Sequence, residues 1–431
     1  MSPRTSSRLG IAVALTAGLG AWFSFTLVQP FTIHVLDLLW LYLLLASFAA
    51  VAFRRFGVPL LPWHNPIAAI SFSAFFFALI IAPILGVVFM GAPMTGLSSS
   101  MRFIMFASLP LLFAILKLKR TAFLSGLSKG LAVAVTANLV YAVLQSLEFN
   151  GLIPGGILPH NTIGRVLTGR SFDNWGRASG LFYEGNHLAY FGLFSTAFFW
   201  GRFLLRPRLS PALLTLFSLA LPVLGNSRSA LLMAVMVVLL MPVTFLLLRK
   251  STNPRTLAAI SFSLLAGIVA AQVLLSIQAL RSAVNFSRIL RVLELARGNL
   301  DADNSFRIRI EELWPAARAV ISDYPLGTGV EPSTIVGTID SAWITYFLQG
   351  SVVLVMLFGV FIIGAVWSGL QTFTGPRSIA AQAAGHALIW VTLVISVGSL
   401  VLSPHHVPSM MVLLICLYYV VAGRPGGHED G

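Results

Sequence analysis

The chain predicts an all-α polytopic membrane protein of about 12 transmembrane helices, with one long, partly helical extracytoplasmic loop between spans 9 and 10. Three observations carry this expectation. Of 431 residues, 57% are hydrophobic and only 10% charged, with a mean hydropathy of +0.88. Apolar runs of roughly 20 residues, the length a helix needs to cross a hydrocarbon core of about 30 Å, recur from end to end. These runs lack the two-residue alternation of barrel strands, so only helices satisfy their backbone amides in lipid.

In chain order the spans lie near 9–28, 31–53, 66–90, 101–116, 127–147, 187–201, 210–225, 229–248, 256–279, 342–368, 379–402 and 408–423. The first has the Arg4, Arg8 and small-residue profile of a signal peptide, but the alternation that follows fits a retained anchor. Residues 1–279 form a bundle of nine spans with an outer loop at 148–186, residues 280–341 the long loop, and 342–431 the last three spans with a short tail. No polar interval is long enough for a separate soluble domain. The one cysteine, Cys416, falls in the last apolar run, where it packs as a small hydrophobe.

The net charge of +14 is a topology signal. With the amino terminus cytoplasmic, the inner side receives 16 cations, including every lysine, against Glu429 and Asp430 alone. The outer side then carries 12 arginines and 11 acids. Such an inner excess of Lys and Arg sets orientation and contacts anionic membrane lipids. It is no footprint for nucleic acid. The expected place is therefore a cytoplasmic (inner) membrane, with both termini cytoplasmic and any site at 148–186 and 280–341 facing outward.

Within the long loop, Val284, Ile289, Val292, Leu293 and Leu295 alternate at helical spacing with Arg281, Arg288 and Arg291. This reads as a helix lying on the membrane with snorkelling arginines, or as a basic face for a phosphorylated lipid. A second helical piece runs over about 305–322, with Asp303 or Ser305 as N-cap, and Pro315 kinks or restarts it. "YPLGTGV" ends it, because Gly327 and Gly329 permit tight backbone geometry that returns the chain to the membrane. Asp340 then sits at the rim of span 10, where a carboxylate needs a partner or a task. "DADN" at 301–304 reads as a capping turn, since no nucleotide diphosphate exists on this side to call for a metal-binding Asp-x-Asp. Asp37, near His34 in span 2, is a satisfied contact or a functional group.

In the other outer loop, "GRASGLFYEGNHLAYFG" places Arg177, Glu184, Asn186 and His187 just before span 6. "GNSRSALLMAV" places Arg228 at the outer mouth of span 8, as interfacial anchor or as ligand group. Arg309, Trp314, Ala316, Ala317, "YPLGTGV" and a polar residue before a new span resemble the signature region of the bacterial O-antigen ligase and polymerase family. "GRASGLFYEGNHLAYF" and "GNSRSALL" resemble two more segments of that family, in the same order. The resemblance covers roughly 175–365; the first five spans match in hydropathy alone.

The resemblance implies an envelope glycosyltransferase that uses a polyprenyl-pyrophosphate-linked glycan, with no cofactor and no metal. It implies that Arg228 and Arg309 hold the donor pyrophosphate. Family ligases present a histidine where this chain has Asp340-Ser341, which tilts the expectation from ligase to polymerase. The acceptor is then a second lipid-linked glycan rather than a lipid A core, with chain-length regulator and flippase proteins as partners. The family's Arg-x10-Gly pattern fits Arg165–Gly176 and Arg318–Gly329, although this composition alone produces as many such pairs by chance.

The chemistry follows from the compartment. Outside the cytoplasm the energy arrives within the donor: an acceptor hydroxyl attacks the anomeric carbon and polyprenyl pyrophosphate departs. Negative charge grows on the leaving oxygen, and preorganised cations lower that barrier. Arginine suits the task because its planar fork grips phosphate oxygens bidentately. The donor group is expected from Arg228, Arg309, Arg177 and Arg318, with Arg307 a further candidate. Asp340 or Glu184 takes the hydroxyl proton, and His187, His405 and His406 are within the range of alternatives. A secondary transporter would show a repeat of halves and ionisable groups at the bilayer midplane, and a flippase of lipid-linked sugars a long cationic path. Neither pattern is present in the sequence.

Overall fold

The computed structural model describes residues 1–19, 24–28, 31–54, 63–91, 97–149, 151–154, 178–182, 184–225, 227–248, 261, 308–329, 341–375, 377–399 and 407–423. For some of these, Arg228 and Arg309 among them, only the backbone is described. The expected span 256–279, apart from residue 261, and the surface helix at 281–297 lie outside the described residues, as do Arg177, Asp301, Asp303, Ser305, Arg307, Asp340, His405 and His406.

The chain is almost entirely helical. In order come α1 (Pro3–Gly18), α2 (Val35–Arg54), α3 (Pro66–Met90), α4 (Leu97–Ile115), α5 (Arg120–Phe149), α6 (Gly185–Leu205), α7 (Leu209–Leu224) and α8 (Arg228–Leu248). A π-type turn over Arg309–Leu313 leads into α9 (Trp314–Asp323), followed by α10 (Ala342–Thr374), α11 (Ile379–Gly398) and α12 (Pro408–Ala422). Seven of these, α2, α3, α5, α6, α8, α10 and α11, are long and apolar enough to cross a membrane, and α4, α7 and α12 are shorter apolar helices.

Two expectations are corrected. The first span does not run from 9 to 28: α1 stops at Gly18, and Ser24–Val28 pairs antiparallel with Phe31–His34 as strands β1 and β2. β-branched Thr26, Val28, Thr32 and Ile33 favour that extended geometry, and Pro30 denies a helix its amide. The second span therefore starts at Val35 rather than 31.

The second correction concerns the tenth span. Gly350 (φ −141°, ψ 24°) and Ser351 (φ 59°, ψ −164°) are not helical, and the chain reverses there. The Trp343 and Phe358 rings are 4.9 Å apart, as are those of Tyr346 and Phe358. A straight helix would separate residues 15 apart by about 22 Å. α10 is thus a hairpin of a short limb, 342–350, and a long limb, 351–374, and the long limb alone has the length of a membrane crossing.

The helices assemble around α6, which is nearly enclosed by its neighbours. Close approach at α1 and α5 depends on small residues: Gly126 and Gly130, spaced as in a GxxxG motif, abut Ser7 and Ile11, and any Cβ would overlap their backbone. Phe72, Phe75, Phe76, Phe361 and Tyr418 interlock α3, α10 and α12 in an aromatic cluster.

One end of the bundle is tied by polar contacts. Lys119 N donates to Ser6 Oγ (3.1 Å), Arg120 Nη1 donates to the carbonyls of Val420 (3.1 Å) and Gly423 (2.8 Å), and His64 N donates to Ala422 O (3.0 Å). Asn65 Nδ2 donates to Gln371 Oε1 (2.9 Å), and Arg202 donates to Ser128 Oγ. The start of α1, the end of α12 and the connections α2–α3, α4–α5, α6–α7 and α10–α11 therefore share this basic end. The connections α5–α6 and α7–α8 meet at the opposite end, where Ala178 N donates to Leu224 O (3.2 Å).

Cysteines introduced at exposed Arg206 and Arg377 are predicted to react with an impermeant maleimide from one side of the membrane, and those at exposed Leu152 and Leu326 from the other. Cys416, fully buried, supplies no background. Labelling Arg377→Cys and Leu326→Cys from the same side would contradict this arrangement.

Candidate functional site

The end opposite the basic one is built from backbone that leaves helical geometry inside the bundle. Such backbone survives at membrane depth only where protein groups satisfy it. Two segments do this. In the first, residues 178–182 dip inward before α6 and are held by side chains of α5. Ser179 N (3.1 Å) and Gly180 N (2.8 Å) donate to Gln145 Oε1, and Leu181 N donates to Asn138 Oδ1 (2.8 Å). Asn138 Nδ2 in turn donates to Gly18 O (2.7 Å), so one buried amide joins α1, α5 and this loop. The loop sets up the start of α6, where Glu184 occupies the N-cap position and His187 N donates to Glu184 O (3.1 Å).

The second segment is the Gly327-Thr328-Gly329 wedge, with all three residues buried. It lies between α3 and the reversal of α10. Thr328 N donates to Leu348 O (2.6 Å) and Gly329 N donates to Gln349 O (2.9 Å), which gives the carbonyls freed by the reversal their donors. Ser351 Oγ caps Pro325 O (2.7 Å). Gly329, at φ +74°, has no room for a side chain: a Cβ would stand 2.5 Å from both Ala82 O and Gly86 N. The "YPLGTGV" glycines thus serve close packing against two helices.

From the wedge, the short limb of α10 runs back to the tip of α11. Ala342 N (2.8 Å) and Ser341 Oγ (3.2 Å) both donate to Ser399 O, and Trp343 Nε1 donates to Ser396 O (3.0 Å). Gly398, beside Ser399, backs directly onto Tyr190 and Met233. The Tyr190 hydroxyl shares a hydrogen bond with Ser229 Oγ (3.2 Å), one residue beyond Arg228. Ser229, Tyr190, Gly398–Ser399 and Ser341 therefore form a continuous path. It connects the start of α8, which Arg228 opens, with the residue that follows Asp340. His187 lies one turn before Tyr190 on α6 and is half-buried.

The other arginines are placed differently. Arg309 opens the π-type turn before α9. α9 packs on the short limb of α10, Ala317 against Leu348 with Ile344 alongside. Pro315 stands in the first turn of α9, directly after the π-type turn, a position where a helix tolerates the missing N–H. Arg318 is exposed on α9, and Glu184 is exposed ahead of α6. The short limb is the common neighbour: the Arg228 segment reaches its base and the Arg309 segment its flank. Among the described residues no group of three His, Cys, Asp or Glu is placed to hold a metal.

Sequence reasoning missed the groups that organise this end, namely Asn138, Gln145, Ser399 and the buried series Ser341, Thr345 and Gln349. Their only signal is polarity inside apolar runs, which α-helical spans usually avoid. Compared with protein-family models and with curated proteins, the chain matches none.

Asn138→Ala strands Leu181 N without its acceptor and Gly18 O without its donor, at about 1–3 kcal/mol per buried group. Gly329→Ala adds a side chain at positive φ and into Gly86, and is expected to cost about 2–5 kcal/mol. Thermal unfolding of the purified variants should show both losses; a wild-type melting point for Gly329→Ala would contradict the wedge.

Proposed function

We propose that the chain is a glycosyltransferase of the bacterial cytoplasmic membrane that polymerises polyprenyl-pyrophosphate-linked oligosaccharide repeat units on the outer face. The observation that supports this reading most is the path from Ser229 through Tyr190 and Ser399 to Ser341. It draws together, at the end of the bundle opposite the lysines, the three segments that resemble the O-antigen ligase and polymerase family. With the basic end cytoplasmic, this end faces outward.

In the proposed reaction, Arg228 and Arg309 grip the donor diphosphate, assisted by Arg177 and Arg318. Bidentate guanidinium contacts stabilise charge on the departing oxygen without changing protonation. Asp340 takes the proton of the attacking acceptor hydroxyl as the bond to the anomeric carbon forms and the bond to the diphosphate oxygen breaks. Glu184, at the mouth beside His187, is the second choice for that proton. His405, His406 and Arg307 border the same side in sequence. No metal is needed, because the guanidinium groups supply the positive charge. The acceptor is a second lipid-linked glycan. Transfer to a lipid A core is the alternative, and Asp340 in place of the ligases' histidine favours polymerisation.

The charge distribution supports an enzyme over a transporter or flippase. Among the described residues, α3, α7, α10, α11 and α12 contain no Asp, Glu, Lys or Arg, and those in α2, α4, α6 and α8 lie within six residues of a helix end. A polar solute crossing the bilayer would call for such groups along the whole path.

The test is the surface polysaccharide of a deletion strain resolved on a gel. A polymerase loses the ladder but keeps a single capped repeat, and a ligase loses both. Complementation with Arg228→Ala or Arg309→Ala is expected to lower polymer yield by at least about 10²-fold, the effect of removing one preorganised charge-stabilising donor. Asp340→Asn should do likewise, with protein levels unchanged. A normal ladder from either arginine variant removes that residue from the site, and normal ladders from both overturn the reading.

A further inference from the structure

Ser341, the N-cap of α10, and Thr345 and Gln349 of its short limb follow at four-residue intervals, so the three share one helix face, and all are buried. Gln349 is only 1% exposed, yet neither Oε1 nor Nε2 has a hydrogen-bond partner. At the other end of the row, the Ser399 hydroxyl next to Ser341 is also buried and unpaired. An unmade hydrogen bond in an apolar surround is costly, and evolution seldom keeps one without a use. The limb is itself held open by the wedge and by Ser351 at a positive φ, a strained geometry for a residue with a side chain. Helix reversals of this kind recur where membrane proteins bind polar ligands.

We infer that this row, with the Gln349 carboxamide at its head, is the subsite for the sugar attached to the lipid diphosphate, recognising neutral hydroxyl or acylamino groups. The inference rests on the function proposed above and assigns it a specificity group. The chemistry of the row selects the ligand class. The unpaired Gln349 carboxamide offers both a donor and an acceptor but no charge, which suits a sugar ring and not a phosphate. The depth agrees as well. Gln349 is bonded through its carbonyl to Gly329, which abuts Gly86, four residues short of the end of α3. That is about 6 Å below the helix end. The arginine segments reach the same limb at its base and flank, so diphosphate and first sugar would fall on adjoining parts of one element.

The experiment uses the full chain in lipid nanodiscs and two probes. One is the polyprenyl-diphosphate oligosaccharide extracted from cells that lack the chain, and the other is bare polyprenyl diphosphate. Wild type should bind the sugar-bearing lipid about ten-fold tighter, the worth of one or two neutral hydrogen bonds. Gln349→Leu should erase that preference, leave affinity for the bare lipid unchanged, and hold or raise the melting temperature, because it removes an unpaired buried amide. A merely structural Gln349 gives the reverse: a lowered melting temperature with the preference intact. Should Gln349→Leu fail to fold, Gln349→Met carries the same expectations at nearly the same volume, and failure of both to fold makes the residue structural and overturns the inference. Equal binding of both probes by wild type overturns the subsite alone. Binding of neither overturns the proposed function, and the subsite with it.

Discussion

The constraint on which this structure depends is the need of every backbone amide and carbonyl inside an apolar bundle for a partner. A straight helix meets it internally, and most of the chain does so. Each unsatisfied group in lipid costs several kcal/mol, so a departure from helix has to be sealed by a specific group. Here the seals are visible. Gln145 and Asn138 take the amides of residues 179–181, and Thr328 and Gly329 supply amides to Leu348 and Gln349. In these two described segments the chain departs from helix and brings its own donors and acceptors.

The two ends of the bundle use polar groups for opposite purposes. At the basic end they lock: Arg120 clamps the carbonyls of Val420 and Gly423, and Asn65 bonds Gln371. At the other end they hold non-helical backbone in place: the inward loop before α6, the wedge and the short limb of α10. The limb is positioned from three sides, by Ser399 at its base, by Ala317 of α9 on its flank and by the wedge at its head. Side chains on such an element are held in place before any ligand arrives, which is the condition for electrostatic stabilisation of a transition state. A glycosyl transfer driven only by its lipid-linked donor asks for that condition.

Much of the helical layout was legible in the sequence, because apolar runs of span length leave little else for a backbone to do. The runs near 66–90, 229–248 and 408–423 coincide closely with α3, α8 and α12. What the hydropathy pattern could not reveal is a change of direction inside a run. "FLQGSVVLVM" reads as continuous span, and the reversal at Gly350–Ser351 exists because a segment more than 20 residues earlier supplies the missing amides. The hairpin over residues 24–34 was hidden likewise, by apolar β-branched residues that suit span and strand alike. For the site, the sequence pointed to Arg228, Arg309 and Asp340 by position and resemblance. It was silent on Asn138, Ser399 and Gln349, whose relevance comes from burial and hydrogen bonding that no local pattern encodes.

The central claim is that a lipid diphosphate is gripped where the start of α8 meets the base of the short limb of α10. A photoreactive polyprenyl diphosphate, crosslinked to the chain in membranes and mapped by mass spectrometry, tests it most directly. Attachment concentrated in peptides spanning 225–233 and 341–350 is the predicted result. Attachment confined to the basic end, around Lys117–Arg120 and Arg202–Arg208, would contradict the account.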